Sequence, residues 1–382
     1  MYRKFLATCL LVIALGFTLD VSHLKSVDAK EYDALLNSEL YKGGDIPVVA
    51  AQNNYTIFLP LVSKSRPEWT FHKTADNLHP DGNEQQLVWL MNRARANPAQ
   101  EGYWLATSSE ADIAGGRSYF GVNLSVLQSE FAGYAAKPPA AFDVRMYNAA
   151  LAHSNDLIVR DAQDHTNQFA RIDQAGFKCL SGRGNVFSYA RSSLHAHAAF
   201  NIDWGGNDGT GMQTGRGHRM AIMSVDGNYT NVGFAMVPEN NPNTSVGPLV
   251  TTGNFCGANS YYPAHYNQFI VGTVWRDNNG NARYDPGEGV GNVRVEPNLG
   301  EYYAVTANSG GYAIPVQSSG LYTITFSGAA NSVLSVTVNS VSVLVDLKLP
   351  AVVGIKAMQS DIPIEPFRHE QFPPGIRFPD NK

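Results

Sequence analysis

The sequence predicts an α+β protein in which a mixed α/β domain is followed by an all-β sandwich. Two observations lead to this fold class. Up to about position 260, segments with apolar residues at helical spacing alternate with short strand-like runs, which is typical of mixed layers. After Tyr266, short β-branched and aromatic runs are separated by turn residues at fairly regular intervals, the pattern of a small antiparallel sandwich.

Composition limits the classes of protein to consider. The 382 residues leave room for two or three domains. Only 16% of them are charged, 35 are glycine, and the formal net charge is −5. The sequence has no block of basic residues, so we expect no nucleic-acid partner, because phosphate binding requires clustered Lys and Arg. These values indicate a globular, extracellular protein.

The N-terminus has the pattern of a signal peptide. Arg3 and Lys4 precede an apolar run, Phe5–Phe17, that is shorter than the ~20 residues needed to span a bilayer. Val27 and Ala29 supply small residues for cleavage after position 29. We therefore predict a secreted protein with no transmembrane segment after cleavage. An uncleaved anchor is the alternative, and association with the cell surface stays open.

Two further segments have no clear periodicity. Residues 30–75 are mixed in composition, carry one short apolar patch, and are predicted to be a linker. Residues 350–382 are rich in proline and are predicted to be a tail or an arm packed on the body.

Cleavage would leave two cysteines, Cys179 and Cys256. In an oxidising compartment these predict one disulfide, with two buried free thiols as the alternative. The C-x-x-C spacing of structural zinc sites does not occur in the sequence.

Helical spacing marks two segments of the first domain. One begins at Glu84 and is stopped by Asn97-Pro98, and the other follows a predicted N-cap at Asp143. We predict a third helix-like stretch over 187–202. The strand candidates are 232–237 and 249–255.

Seven strands are predicted in the second domain. They are Phe269–Trp275, Val293–Glu296, Tyr302–Thr306, Tyr312–Val316, Tyr322–Phe326, Val333–Val338 and Val343–Leu347.

Short motifs in residues 76–260 resemble those of the bacterial CAP (SCP-like) domains. They occur in the order of that family, although no single motif is specific. The motifs are Glu84–Pro98, His153–Leu157, Asp164–Thr166, Gln174–Phe177, Gly184–Val186, Ile202–Gly205, Arg216–Arg219, Asn231–Phe234 and Gly253–Phe255. The resemblance implies an α-β-α sandwich with a cleft lined by two histidines and two acidic residues.

Carried over by position, the resemblance places the two histidines at His165 and His218. Neutral imidazoles suit zinc or another divalent metal, and they also suit acid–base catalysis. Asp203 is the nearest acidic candidate and resembles an Asp of some bacterial members. The alternative is that each histidine caps a turn or stabilises the core.

The sequence departs from the family at one acidic position. Where the family has Gly-Glu-Asn, this chain has Arg183-Gly184-Asn185, so the glutamate is replaced by Gly184. Arg183 could place a cation near that gap. Loss of one ligand or base lowers metal affinity or rate by orders of magnitude, so we expect binding rather than catalysis.

Three other histidines suggest a larger metal cluster at first sight. His153 shares a helical face with apolar residues, so we predict a core histidine. His195 and His197 are two positions apart on a predicted helix and should point to different faces.

An Asn- and Asp-rich loop in the second domain places oxygen ligands at positions 1, 3, 5, 9 and 12. Calcium binds six to eight oxygens at ~2.3–2.6 Å, and this spacing wraps the chain around one ion. Arg283 would contribute its carbonyl at position 7. Ala282 stands at position 6, where an EF-hand has glycine, so we expect a slightly different turn. The predicted ligands are Asp277, Asn279, Asn281, Arg283, Asp285 and Glu288.

Strand candidates, not helices, flank this loop. Together with the motifs around 271–293, 306–312 and 319–324, residues 266–349 resemble the SdrD B-like repeats of bacterial surface proteins. That resemblance implies a prealbumin-like sandwich stiffened by calcium. The alternative is an Asn/Gly-rich surface turn without metal.

The sequence as a whole predicts a secreted CAP-domain protein that binds a small molecule, a lipid or a protein partner in a histidine-lined cleft, joined to a calcium-stabilised β module. Two other classes stay open. One is a metal-assisted hydrolase or peptidase using His165, His218 and Asp203. The other is a structural or adhesive protein with an inert cleft.

Overall fold

The computed structural model describes Val49–Ala51, Asn54–Thr56, Arg66–Gly206 and Asp208–Ala351. The predicted signal peptide, most of the predicted linker and nearly all of the predicted tail lie outside these residues. Val49–Ala51 (β1) and Asn54–Thr56 (β2) pair antiparallel and belong to a unit separate from residues 66–382.

The first part of the large unit, which we call the mixed region, contains eight of the described α-helices and four strands. Its helices are α1 Gly82–Ala96, α2 Pro98–Thr107, α3 Ala111–Phe120, α4 Leu124–Ala132, α5 Val144–Arg160, α6 Gln168–Gln174, α7 Ser193–Ala198 and α8 Gly217–Ile222. Its strands are β3 Ala141–Phe142, β4 Cys179–Ala190, β5 Asn231–Pro238 and β6 Leu249–Ala258.

Capping residues set the start of the helices that frame the site. Asp81 and Glu84 form a capping box at the start of α1, in which each side chain accepts a backbone N–H of the other residue. Asp143 caps α5, as the sequence predicts.

Helices cover both faces of the central sheet, whose strand order is β3-β5-β6-β4. On one face Met146 of α5 and Ile172 of α6 pack against Cys256. On the other face Leu87 of α1 shares a core with Phe255. The predicted disulfide between Cys179 and Cys256 is present and joins β4 to β6, with an S–S distance of 1.90 Å.

The predicted helix over 187–202 is wrong in its first part. Phe187–Ala190 belongs to β4, and a helix forms only over α7, followed by a π-helical turn at Ala199–Asp203. The reason is that β4 is buried on both faces. Val186 packs with Leu157, whereas Phe187 belongs to the opposite core, so apolar residues follow each other without the alternation that marks a half-exposed strand.

The second part, the β region, consists of two sheets around one core. Its strands are β7 Phe269–Arg276, β8 Val293–Pro297, β9 Ala304–Val305, β10 Gly311–Pro315, β11 Gly320–Gly328, β12 Ser332–Val338, β13 Val343–Leu344 and β14 Leu347–Leu349. One sheet has the order β12-β11-β8-β9. In the other, β10 pairs antiparallel with β7, and β13 and β14 pair parallel with it.

The α+β class is therefore confirmed, with a mixed helix–sheet region followed by a mainly antiparallel β region. The last predicted strand, 343–347, is interrupted. Between β13 and β14, the Oδ1 atom of Asp346 accepts the backbone N–H of Thr273 at 2.8 Å, so a side chain replaces a ladder hydrogen bond.

The two regions pack closely against each other. Trp69 is 4% exposed and shares a cluster with Ala141 of the mixed region and Phe269 of the β region. The end of the predicted linker is thus part of the folded body. The Nε2 atom of Gln85 donates to Thr273 Oγ1 at 2.9 Å, and Trp89 Nε1 donates to Asp346 Oδ2 at 3.1 Å. Among the described helices, none is both long enough and apolar enough to span a bilayer.

Candidate functional site

His165 lies in the turn between α5 and α6, where Gln168 orients its ring. The Nδ1 atom is 2.6 Å from Gln168 Oε1. Gln168 is fully buried, and its Nε2 donates to Asn254 Oδ1 at 2.8 Å. Since the amide nitrogen of Gln168 is used there, its oxygen faces the imidazole, and Nδ1 of His165 carries the proton.

His218 is the second residue of α8 and is oriented by Asp203. Its Nδ1 is 2.7 Å from Asp203 Oδ1, and its backbone N–H donates to the other carboxylate oxygen at 3.1 Å. Asp203 is fully buried and has a φ of 58°, in the left-handed region that non-glycine residues rarely adopt. Two hydrogen bonds to His218 hold this conformation, and strain of this kind concentrates at functional sites.

The structure brings the two histidines together, with ring centroids 6.4 Å apart. Each Nδ1 has a partner, yet the Nε2 atoms of both rings are buried without any hydrogen bond among the described residues. Asn185 donates to the carbonyl of His218 at 2.9 Å, and its Oδ1 is likewise buried and unbonded. Three acceptor atoms without a protein donor thus belong to neighbouring residues.

Burial lowers the pKa of His165, and the neighbouring His218 lowers it further, while the hydrogen bond to Gln168 acts in the opposite direction. The neutral imidazole is therefore favoured at neutral pH. A neutral ring offers a lone pair at Nε2, which is the form that accepts a proton or binds a metal.

Gln168 occupies the space that a side chain at position 184 would need. A Cβ added to Gly184 would lie 2.5 Å from Gln168 Nε2 and 2.6 Å from its Oε1. The resemblance to CAP domains did not predict that Gln168 orients His165. The sequence does place Gln168 three residues after His165, a spacing that allows the two side chains to meet. Arg183 does not enter the gap, because it forms an ion pair with Asp226.

The three other histidines that the sequence suggested for a metal cluster do not join the pair. His153 is fully buried, with Nε2 2.9 Å from the carbonyl of Asp164 and Nδ1 2.9 Å from Arg171 Nη1, as expected of a core histidine. His197 Nε2 is 2.8 Å from Glu101 Oε1, whereas the ring of His195 packs 5.1 Å from that of Phe187.

The acidic loop of the β region is closed by hydrogen bonds, most of which form within the loop. Asp285 accepts from Asn279, Asn281, Arg283 and Gln86 at 2.6–3.0 Å. Glu288 accepts the backbone N–H groups of Asn278 and Asp285.

Asp277 differs from the other acidic residues of the loop. Its Oδ2 atom accepts from Lys348 at 2.6 Å, but its Oδ1 is buried and has no partner among the described residues. Within that same part of the chain, no group of three or more His, Cys, Asp or Glu side chains is arranged to hold a metal ion. The calcium set therefore stays a prediction.

One non-glycine residue of this loop has a glycine-like backbone. Ala282 has a φ of 58°, the left-handed conformation that glycine normally supplies at position 6 of an EF-hand. Gly280, at position 4, is also left-handed with a φ of 75°, and the expectation of a slightly different turn stays a prediction. The backbone N–H of Ala282 donates to Asp277 Oδ2 at 3.0 Å and stabilises the conformation.

Comparison with known proteins assigns no family. No protein-family model and no curated protein matches this chain.

Proposed function

We propose that the mixed region is a CAP-type module that binds its ligand, outside the cell, through His165 and His218. One observation carries the proposal: two adjacent imidazoles have their Nδ1 atoms held by Gln168 and Asp203, while both Nε2 atoms stay buried and unbonded. Leaving a buried acceptor without a partner costs about 1–3 kcal/mol. A ligand that supplies hydrogen-bond donors or a cation would recover this energy.

A divalent metal such as zinc fits this donor set in part. Zinc prefers imidazole nitrogen, and hydrogen bonds to the opposite ring nitrogen orient such ligands. Here the chain supplies two nitrogens, fewer than the three or four protein ligands of usual zinc sites. We therefore expect micromolar affinity. A bound zinc ion would polarise a water or a carbonyl, and Asp203 and Gln168 would hold the rings in place.

Hydrolysis is the second candidate, and the pair of Asp203 and His218 favours it. A buried carboxylate 2.7 Å from Nδ1 orients a histidine as a general base. No serine, threonine or cysteine among the described residues is hydrogen-bonded to Nε2 of His218. A water would have to serve as the nucleophile, and we rank binding first.

The β region is proposed to be a prealbumin-like module that calcium stabilises. The unbonded Oδ1 of Asp277 and the left-handed backbone of Ala282 support this proposal. The ligands would be Asp277, Asn279, Asn281, the carbonyl of Arg283, Asp285 and Glu288.

Calorimetric titration with zinc chloride tests the histidine pair. We expect micromolar binding to the full chain and loss of binding in His165→Ala and in His218→Ala. The matched control is His79→Ala, because Nδ1 of His79 is bonded to Glu84, away from the pair. Circular dichroism checks that each variant is folded. Heat retained in both site variants, or no heat with the unaltered chain, would refute a metal-binding role and favour the inert cleft.

A further inference from the structure

A groove of about 680 Å³ lies where the two regions meet, and it is distinct from the histidine pair. Asn228 belongs to the mixed region, Ser260–Gln268 connect the regions, and Gln317 and Ser340 belong to the β region. Its volume falls within the range of about 300–1,000 Å³ that is typical of small-ligand sites. Because both regions supply its walls, the groove exists only when they are packed together.

The lining of the groove carries no formal charge. It contains no Asp, Glu, Lys or Arg side chain. His265, its one histidine, accepts the backbone N–H of Lys178 at Nε2 and donates from Nδ1 to the carbonyl of Pro263, at 2.8 and 2.7 Å. Burial lowers the pKa of His265, which favours its neutral form. The lining thus offers a charged ligand no counter-charge, which favours a neutral ligand.

Several polar groups of the groove have unused hydrogen-bonding capacity. The amides of Asn228 and Gln317 and the hydroxyls of Ser260 and Ser340 make no hydrogen bond to any described residue. Amides and hydroxyls both donate and accept. A ligand rich in hydroxyl groups, which also donate and accept, matches this set.

Two tyrosines supply aromatic surface at the same place. Tyr261 is 97% exposed and Tyr262 is 46% exposed. A tyrosine ring presents an apolar face and a polar hydroxyl, and it loses little conformational entropy on binding. A sugar ring has the complementary form, with an apolar C–H face and hydroxyls around its edge.

We propose that this groove binds a neutral oligosaccharide, with sugar rings against Tyr261 and Tyr262 and hydroxyls bonded to Asn228 and Gln317. The proposal is independent of the histidine pair and of calcium. It gives the joined regions a shared ligand that neither would hold alone.

Saturation-transfer NMR on the full chain tests the proposal with cellohexaose, chitohexaose and mannohexaose as neutral probes. We expect at least one of them to bind. Hexagalacturonic acid, which has a similar shape but is anionic, should bind at least about tenfold more weakly. Tyr261→Ala and Gln317→Ala should each weaken binding about tenfold.

Tyr103→Ala is the matched control, because Tyr103 is 56% exposed on α2 and does not line the groove. It should bind like the unaltered chain. The proposal is overturned if none of the three neutral sugars binds, if the anionic sugar binds equally well, or if Tyr261→Ala and Tyr103→Ala behave alike. Preference for a Gly-Ser peptide over the sugars would also overturn it.

Discussion

The histidine pair of the mixed region and the acidic loop of the β region satisfy their polar atoms in opposite ways. Around the pair, both Nε2 atoms and Asn185 Oδ1 lack partners. In the loop, Asp285 and Glu288 accept hydrogen bonds from their own neighbourhood, and Asp277 Oδ1 alone of the loop's carboxylate oxygens is buried and unbonded. Protein groups therefore satisfy most acceptors of the loop, whereas the pair leaves more of its acceptors without a protein partner.

The largest expected effect tests whether the two regions unfold together. Replacing both Cys179 and Cys256 by alanine removes a disulfide between residues 77 positions apart. In the chain-entropy model such a loop stabilises by about 4 kcal/mol. Because Trp69 and Gln85 join the regions, we expect one calorimetric transition at a lower temperature. Two separate transitions, with that of the β region unmoved, would show that the interface does not couple them.

Calcium chelation should have the next largest effect. Excess chelator should lower the melting temperature, because a ligand of the folded state stabilises by about 2.7 kcal/mol at a hundred times its Kd. Asp277→Ala should remove this response. Asp173→Ala, at an exposed residue of α6, is the control and should keep it. If neither calcium nor chelator changes the melting temperature of the unaltered chain, the loop is a metal-free turn.

A smaller effect is expected from Asp346, which lies between the regions. Burial raises the pKa of its carboxyl to about 6, although the N–H groups of Thr273 and Trp89 oppose the shift. The folded state then binds more protons than the unfolded state between about pH 4 and 6. Stability should therefore fall as the pH rises through this window, by about 2 kcal/mol. In urea unfolding, the stability of Asp346→Asn should not fall over this pH window. If the variant keeps the pH dependence of the unaltered chain, Asp346 is not its source.

The smallest change in stability is expected for a variant that tests whether Gln168 orients the histidine pair. Gly184→Ala should displace the flexible amide of Gln168 at a cost of about 1 kcal/mol, while releasing His165 from its partner. The loss in zinc-binding free energy should be much larger than the loss in the free energy of unfolding. Gly182→Ala, two positions earlier in β4, is the control for a glycine replacement in the same strand, because an added Cβ there would meet Cys256 Sγ and Phe255 O at 3.1 Å and not Gln168. Equal zinc binding by both variants would mean that Gln168 does not orient the pair.

Much of the fold could be predicted because it depends on local signals. The N-cap at Asp143, the stop at Asn97-Pro98 and the turn residues of the β region each act within a few positions. The predicted helix start at residue 187 is wrong. Because β4 is buried on both faces, its sequence lacks the alternation of apolar and polar residues that indicates a strand. The approach of His165 to His218 followed from the family resemblance and not from spacing.

The partners of the two histidines were harder to foresee. Asp203 was a candidate from its position, but its left-handed backbone is visible only in the structure. Gln168 fills a space that is open only because residue 184 is glycine, and such a long-range steric exchange leaves no mark on local propensity. The contact of the acidic loop with the mixed region through Gln86 was also unforeseen.

Gln86 has a consequence for how these regions can be recombined. Its amide donates to both Tyr284 O and Asp285 Oδ1, at 2.8 and 2.7 Å, while its oxygen accepts from Ser193. Separating the regions by a cut near residue 265 would leave the Gln86 amide without these acceptors and would expose Trp69. The β region therefore cannot be transferred to another protein as an independent domain. A graft would have to include the surface of α1 that packs against it.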